Sequence, residues 1–494
     1  MILTGVPRWV AFIVFAASAV VFILGVVGYY MVPSIIGAKV SQQMRLVENG
    51  STLKRWANVA VPIYFSAFMF NITNPEEFAN GEKPQVQEIG PYVYLQKRRK
   101  LITHIDRDVV TYKDYKSYHF LPEYSIGTPD DRLYALNVPL VAMDKLIGSK
   151  LPGDLAKSLL QPILEGLLEK HNEKLVVQRN VSEMLFDGYA VPMMNELSKL
   201  AAAFMPDTKL PAISNFGLFY NKNNTADQWF TVGTGAGEYP FATILEWNNH
   251  TSLDFWSRDN CNKINGTDGG QFSPFVRTDQ KLFVFATDLC RSIYFEYEKN
   301  TQVKGVDTKR FTVPDAIFAS GKRQPENQCF CEAINRCHEG GVIPLSSCRK
   351  GAPVMLSAPH FYQGDAKLVQ DVAGLRPQKK YHETYLDVQT MTGLVLRAAK
   401  RLQINIDLKQ SDLLYPLANV SSRVMPIAWV EERMEATGPM TDGLKEKLIF
   451  PQKMGVLIST AAALGGAIGA IAAILVIVVR QAGTTRSAKL QPSK

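Results

Sequence analysis

Two stretches of this chain carry no charged residue, and one lies near each end. Val10–Val32 runs for 23 residues and Met454–Val479 for 26. A helix of about 20 apolar residues crosses a bilayer, so each run is long enough to span one. The first run exceeds the roughly 7–15 apolar residues of a cleaved signal. Its small residues (Ala16, Ala17, Ser18, Ala19) lie mid-run, so it reads as a retained anchor. Between the two runs the pattern is that of a folded domain. Leu155, Leu159, Ile163 and Leu167 recur every four residues, joined by Leu160, Leu164 and Leu168, and predict a helix. Pro152-Gly153 and an Asp154 N-cap start it, and Pro162 should bend or restart it. Asn180-x-x-Glu183 before Met184-Leu-Phe is a second N-cap pattern. Residues 139–187 therefore read as helical, with more helix near 195–204.

From about residue 215 onward the pattern changes to strands. Leu282–Phe285, Ser292–Tyr297 and Tyr385–Val388 are short β-branched or aromatic runs. Leu402, Ile404, Ile406 and Leu408 alternate with Gln403, Asn405 and Asp407, which predicts a strand with one wet face. Gly90-Pro91 opens another strand, Tyr92–Tyr94. The region between the hydrophobic runs is an antiparallel β body with a helical insertion near 139–205.

Charge orients the chain. Arg8 is the only charge before the first run, and Arg480, Arg486, Lys489 and Lys494 follow the second with no acid among them. Basic short flanks stay cytoplasmic. The predicted order is a cytoplasmic tail 1–9, a membrane helix 10–32, an outer domain 33–453, a membrane helix 454–479 and a cytoplasmic tail 480–494. The tails hold five of the formal +8, so the basic balance reflects them and gives no reason to expect nucleic acid. All seven N-x-S/T acceptors fall in the outer region: Asn49, Asn71, Asn180, Asn223, Asn249, Asn265 and Asn419. An Asn180 that caps a helix would be a poor acceptor. Gly465-x-x-x-Gly469 in the second run is a helix-packing pattern that serves the first helix or a second copy.

All six cysteines also lie in the outer region: Cys261, Cys290, Cys329, Cys331, Cys337 and Cys348. An even number in an oxidising space reads as disulfides. Zinc spacing and C-x-x-C are absent, and six cysteines leave fifteen pairings open. No constellation for catalysis emerges. There is no H-E-x-x-H, no G-x-S-x-G and no P-loop, and Gly233-x-Gly235-x-Gly237 misses the dinucleotide fingerprint. The chain reads as a non-enzyme without metal or cofactor. Lys97-Arg-Arg-Lys100 reads as a solvated strand end, with an anion-attracting patch as the sharper alternative. Lys170, His171, Lys174 and Arg179 form a second basic stretch, mixed with Glu169 and Glu173.

In order along the chain stand Phe70-Asn-Ile-Thr-Asn-Pro75, Glu88-Ile-Gly-Pro-Tyr-Val-Tyr94, Ser125-Ile-Gly127 and Asn215-Phe-Gly-Leu-Phe-Tyr220, leading into Asn223–Asp227. Ile264-Asn-Gly-Thr-Asp268, Asp288-Leu-Cys-Arg-Ser-Ile293, Pro359-His-Phe361 and Ala399-Lys-Arg-Leu-Gln403 follow. This series resembles the class B scavenger receptors, which include fatty-acid-translocase, high-density-lipoprotein-receptor and lysosomal-integral-membrane-protein types. The resemblance covers nearly the whole chain. It implies an α+β membrane protein: an irregular antiparallel β-barrel with an apical helical bundle and a lipid tunnel, anchored by two transmembrane helices. It implies the pairing Cys261–Cys329, Cys290–Cys348 and Cys331–Cys337.

By the same resemblance the helical insertion captures ligand, making Lys170, His171, Lys174 and Arg179 candidates. Lys170 matches one ligand-binding lysine of the fatty-acid-translocase type, while the other falls on Asn172. Arg179 stands where the lysosomal type has a histidine used in pH-dependent release, so that design is not expected. The tail RQAGTTRSAKLQPSK has neither an acid nor a dileucine, which favours the plasma membrane over the lysosomal membrane. The implied function is a cell-surface receptor for lipids, lipoproteins or lipid-modified particles that passes lipid through its tunnel. The alternatives are a lysosomal membrane escort for a lumenal hydrolase and a two-helix ligand-gated channel subunit, and a homo-oligomer is compatible with each.

Overall fold

The computed structural model describes residues 7–150, 154–204, 213–226, 228–331 and 337–488. The chain forms two compact units. One comprises residues 1–43, 304–306 and 437–494, the other residues 44–303 and 307–436.

The first unit is built on two long helices, α1 (Arg8–Gln43) and, at the other end of the chain, the helix Phe450–Ala488. Both are long and apolar enough to cross a membrane, and both outrun the charge-free stretches that predicted them. Leu24 and Ile468 stay more than 60% exposed, at 64% and 68%, as lipid-facing side chains would. The helices pack through small residues. A Cβ on Gly466 would lie 2.4 Å from the Phe22 nitrogen, and one on Gly469 2.4 Å from Ser18 Oγ. A Cβ on Gly465 meets nothing within 4 Å. The contact seam thus uses Gly466 and Gly469, and the predicted Gly465–Gly469 pair is only half right, because Gly465 faces away.

The second unit is dominated by a 13-stranded antiparallel sheet that nearly closes into a barrel. Its strands are β1 (Ile63–Ile72), β2 (Val86–Ile105), β3 (Val109–Phe120), β4 (Trp229–Gly233), β5 (Ile244–Trp247), β6 (Leu282–Ala286), β7 (Arg291–Val303) and β8 (Val306–Thr312). Then come β9 (Val342–Pro344), β10 (Val354–Ser357), β11 (Tyr385–Gln389), β12 (Leu394–Leu408) and β13 (Arg423–Glu435). Their order is β6-β7-β8-β11-β12-β13-β1-β2-β3-β4-β5, with β9 on β10 and β10 also on β12. The strands predicted at 282–285, 292–297, 385–388 and 402–408 all lie in this sheet. Pro91 does not open a strand. It sits inside β2, beside the point where the β1–β2 register shifts between Ala67 and Met69.

The gap between β5 and β6 is bridged by the Ile264–Asp268 segment. Ile244 N–H donates to Gly266 O at 2.8 Å, and Phe285 N–H donates to Thr267 O at 3.0 Å. Gly266 has φ +89°, and a Cβ there would lie 2.0 Å from Phe283 O, so only glycine passes. Asp268 ends the strap in ion pairs to Lys100 (2.8 Å) and Arg98 (3.7 Å). Lys97-Arg-Arg-Lys100 is therefore not a strand end, and only two of its four charges face solvent. It alternates within β2, with Lys97 and Arg99 outward and Arg98 and Lys100 turned in. Lys100 also lies 4.8 Å from the Trp56 ring.

The helical insertion holds α2 (Val138–Lys150), α3 (Asp154–His171) and α4 (Pro192–Phe204). Pro152, Gly153 and the Asp154 side chain, predicted to start α3, lie outside the described residues. The helix continues through Pro162 rather than restarting there. It buries Leu164, Leu167 and Leu168 and leaves Ile163 43% exposed, so the core stripe is one step round from the predicted one. The helix ends at His171, and within the region to 187 that reads as helical Val176–Asn180 is a strand. Asn172 adopts φ +49°, its N–H bonds Glu169 O, and Glu173 N–H bonds Leu168 O. That is a Schellman C-cap, which needs a left-handed residue at position 172. Beyond it Val176–Asn180 pairs antiparallel with Arg132–Leu136 as a two-stranded sheet outside the main one, closing around α2 and α3. Asn180 N–H donates to Glu183 Oε2 at 3.0 Å, the return half of a capping box, ahead of a π-turn at Glu183–Asp187.

Three disulfides staple the segment from Cys261 to Cys348: Cys261–Cys329, Cys290–Cys348 and Cys331–Cys337. The first two close loops of 68 and 58 residues, each contributing roughly 4 kcal/mol on the loop-entropy model. Trp256 Nε1–H donates to Cys290 O at 2.7 Å beside them.

Candidate functional site

Residues two apart on a strand share a face, and the inward face of the barrel wall surrounds a cavity. Lys400, Leu402, Ile404 and Ile406 of β12 line it, with Val430 and Glu432 of β13 and Asp114, Lys116 and Tyr118 of β3. Phe65 of β1, Val354 and Leu356 of β10, and Phe216 to Phe219 complete much of the wall. The volume is ≈ 390 Å³, within the range of small-ligand pockets.

The apolar end is built from aromatic rings and branched chains. Phe65 meets Tyr118 at 5.1 Å and Phe219 at 5.3 Å between ring centres. The Phe216–Phe219 loop is held by Leu218 N–H to Met184 O and Phe219 N–H to Leu185 O. A Cβ on Gly217 would lie 3.1 Å from Glu183 O, so the small residue lets this loop approach.

The other end is charged, and its charges are paired. Arg98 Nε lies 2.9 Å from Asp114, and Lys116 lies 3.7 Å from the same carboxylate. Lys400 contacts Asp288 and lies 3.7 Å from Glu432. Lys400 beside Asp288 holds that carboxyl well below the usual carboxylate range, against its burial. Burial favours the neutral Lys400 amine, but Asp288 and Glu432 outweigh it and push its pKa up. Burial likewise works against Glu432, and Lys400 and Lys116 pull it down regardless. Lys400 and Asp288 keep 39% and 50% of their side-chain surface open, and both line the cavity. Such pairs roughly offset their own desolvation. Their effect is to make one end of an apolar space polar.

This arrangement can hold an amphiphile and offers no paired nucleophile and base. Among the described residues, no group of three or more His, Cys, Asp and Glu side chains is arranged to hold a metal.

The four basic candidates do not form one patch. Lys170 pairs with Glu196 of α4 at 2.8 Å, and His171 Nε2 lies 3.4 Å from the same carboxylate. Hydrogen bonds from Lys170 and His171 hold Glu196 below the ordinary carboxylate range. Lys174 is exposed. Arg179 lies on the two-stranded sheet, half-buried, with its guanidinium 4.6 Å over the Tyr189 ring. Asn49, Asn249, Asn265 and Asn419 are exposed. Asn71 and Asn223 are half-buried. Asn71 Oδ1 accepts the Tyr134 N–H, and Asn223 bonds both the N–H and the C=O of Tyr118. Asn180 is half-buried as well.

The cavity lining was not read from the sequence. The alternation at 402–408 was its signal, but the face predicted to be wet is dry, and the apolar face is only partly covered at its cavity end. Gln403 and Asn405 are fully buried at 0% exposure, while Leu402 and Ile404 are half-buried against the cavity. The polar face stays dry because it bonds internally. Gln403 Nε2 donates to Asn405 Oδ1 at 2.8 Å, Asn405 Nδ2 donates to Ser357 Oγ at 3.0 Å, and His360 N–H donates to Gln403 Oε1.

Comparison with known proteins adds a lineage to this geometry. A profile of the CD36 family matches residues 15–477. The chain is 36% identical over 392 residues to lysosome membrane protein 2 of Rattus norvegicus, covering 78% of each. It is 33% identical over 448 residues to scavenger receptor class B member 1 of Mus musculus, covering 90% of this chain and 85% of that protein.

Proposed function

Because the chain belongs to the CD36 family, we propose that this class B scavenger receptor binds lipids or lipid-bearing particles and passes lipid through its barrel toward the membrane. The observation that carries this is the cavity, apolar along Leu402, Ile404 and Ile406 and ion-paired at Lys400. An acyl chain loses about 0.8 kcal/mol for each CH₂ left in water, and a dry lining removes that cost without a covalent step. The apolar tail lies along the branched side chains and an acidic head takes the charged end. Lys174 and the α3 terminus serve capture of lipoproteins or lipid-modified particles, with exchange of the Lys170–Glu196 contact for ligand.

The test uses full-length chain purified in an uncharged detergent. Mass spectrometry of co-purified lipid should find fatty acid or another single-chain amphiphile. Ile404→Trp, which fills the cavity, should cut oleate binding about tenfold or more, a difference of about 1.4 kcal/mol. Absence of any bound lipid, together with unchanged oleate binding in the variant, would overturn the reading.

The match to a lysosome membrane protein supports a second reading, a lysosomal receptor for a lumenal hydrolase. Surface biotinylation against lysosomal co-staining separates the two. Predominant surface labelling favours the lipid receptor at the plasma membrane.

A further inference from the structure

The alternate residues of the same two strands face a second space. Arg401, Trp429 and Arg433 border a cleft of ≈ 670 Å³, with Glu88, His360 and Arg376 among its other walls. Both carboxylates there are committed. Glu88 Oε2 accepts Trp429 Nε1–H at 2.7 Å and is 2.5 Å from His360 Nε2. Glu431 pairs with Arg401 at 2.7 Å. Arg376 and Arg433 are exposed on the cleft, and among the described residues neither has a carboxylate within ion-pair distance.

The segment bearing Arg376 is anchored. Its own N–H donates to His360 Nδ1 at 2.9 Å, and the Gln378 N–H donates to His382 Nδ1 at 2.9 Å. Both rings are thereby held through Nδ1, and the Nε2 edge of His360 is turned toward Glu88. The two rings stack at 4.5 Å and 10°. Trp429 stacks on Phe68 at 3.8 Å and 3°. The cleft thus has a rigid aromatic floor, its acids spent, and two uncommitted guanidiniums. A guanidinium presents a planar fork of donors that fits phosphate oxygens two at a time. A tetrahedral phosphate has enough oxygens to satisfy two forks, which a single carboxylate does less well.

We propose that this cleft is a binding site for a phosphate-bearing anion, separate from the cavity, with Arg376 and Arg433 as its ligands. The proposal does not depend on lipid passing through the barrel.

The experiment titrates full-length chain in uncharged detergent with dihexanoylphosphatidylserine and, in parallel, with inorganic phosphate. Arg376→Gln and Arg433→Gln should each weaken phosphatidylserine binding about tenfold, the size of one charge-assisted contact. Both side chains are exposed, and an unchanged melting midpoint confirms that the variants keep the fold. Inorganic phosphate that binds with the same dependence on both arginines supports the site and makes soluble phosphate its source. Arginine-dependent binding of phosphatidylserine alone supports the site and makes a lipid headgroup the source. Ile404→Trp fills the cavity and should leave this binding intact, so failure of the cavity reading and failure of this one give different results. Undiminished binding of both probes to the double arginine variant would overturn the proposal.

Discussion

The cavity and the cleft share two strands and differ in what holds them up. On β12, even-numbered residues line the cavity and Arg401 lines the cleft, and on β13 Glu432 faces one and Trp429 the other. The cavity side is branched and apolar along Leu402, Ile404 and Ile406, and it lines a space. The cleft side is polar and aromatic, and its groups are held by partners, Trp429 by Phe68 and Glu88 and Arg401 by Glu431. Hydrogen bonds and stacking therefore hold the polar face, while the apolar one serves as a container wall, the reverse of the usual division between surface and core. The lesson is that a hydrophobic stripe marks either a core or a container, and the burial of its polar neighbours tells which.

The comparison breaks first at Trp429. Trp429→Ala should cost about 3–5 kcal/mol of stability, measured by urea unfolding, because a buried, stacked and hydrogen-bonded indole is lost. Oleate binding in the fraction that stays folded should survive. Loss of stability under about 1 kcal/mol would deny the cleft its supporting role.

Acid should act next, and on the same side. Burial and the neighbouring His360 lower the His382 pKa from 6.5 to about 4. The unfolded chain then binds the extra proton at a higher pH than the folded one. Stability from this group is complete above pH 6.5 and falls as pH drops from 6.5 toward 4, by up to about 3 kcal/mol. Glu88 is also held below its usual range, because hydrogen bonds from His360 and Trp429 overcome its burial, and it loses its share at lower pH. Unfolding measured across pH 4 to 7 should show a shallower slope in His382→Gln than in the parent. Equal slopes would contradict the neutral, buried assignment.

The smallest effect discriminates most sharply. Asn405→Ala should cost about 2 kcal/mol, by stranding Gln403 and Ser357, whereas Ile404→Ala, beside empty space, should cost about 1 kcal/mol or less. The opposite ranking would restore the ordinary reading of the strand.

Much of the fold was legible because its signals are local. The two charge-free runs, the β-branched strands at 282–285 and 385–388, and the leucine-rich helix each carry their own periodicity. What was not legible depends on partners far along the chain. Lys97-Arg-Arg-Lys100 looked like a charge run because its acids, Asp114 and Asp268, come from β3 and from a strap 168 residues beyond Lys100. The wet face predicted for β12 was dry because Ser357 and His360 lie on other segments. The end of α3 was visible in principle: Asn172 is one of the few residues at ease with a left-handed backbone. The cavity has only the alternation at 402–408 as a local signal, because its walls come from five strands far apart in the chain, β1, β3, β10, β12 and β13.

The strap through Gly266 has a consequence for the molecule among its neighbours. A sheet that stops short of closure leaves two rows of unpaired backbone groups, each a template for another chain. Here one segment occupies both rows, bonding β5 on one flank and β6 on the other. Any residue larger than glycine at 266 would collide with Phe283 O and lift the strap. The barrel would then expose two open edges and would be expected to polymerise through them before its cavity emptied.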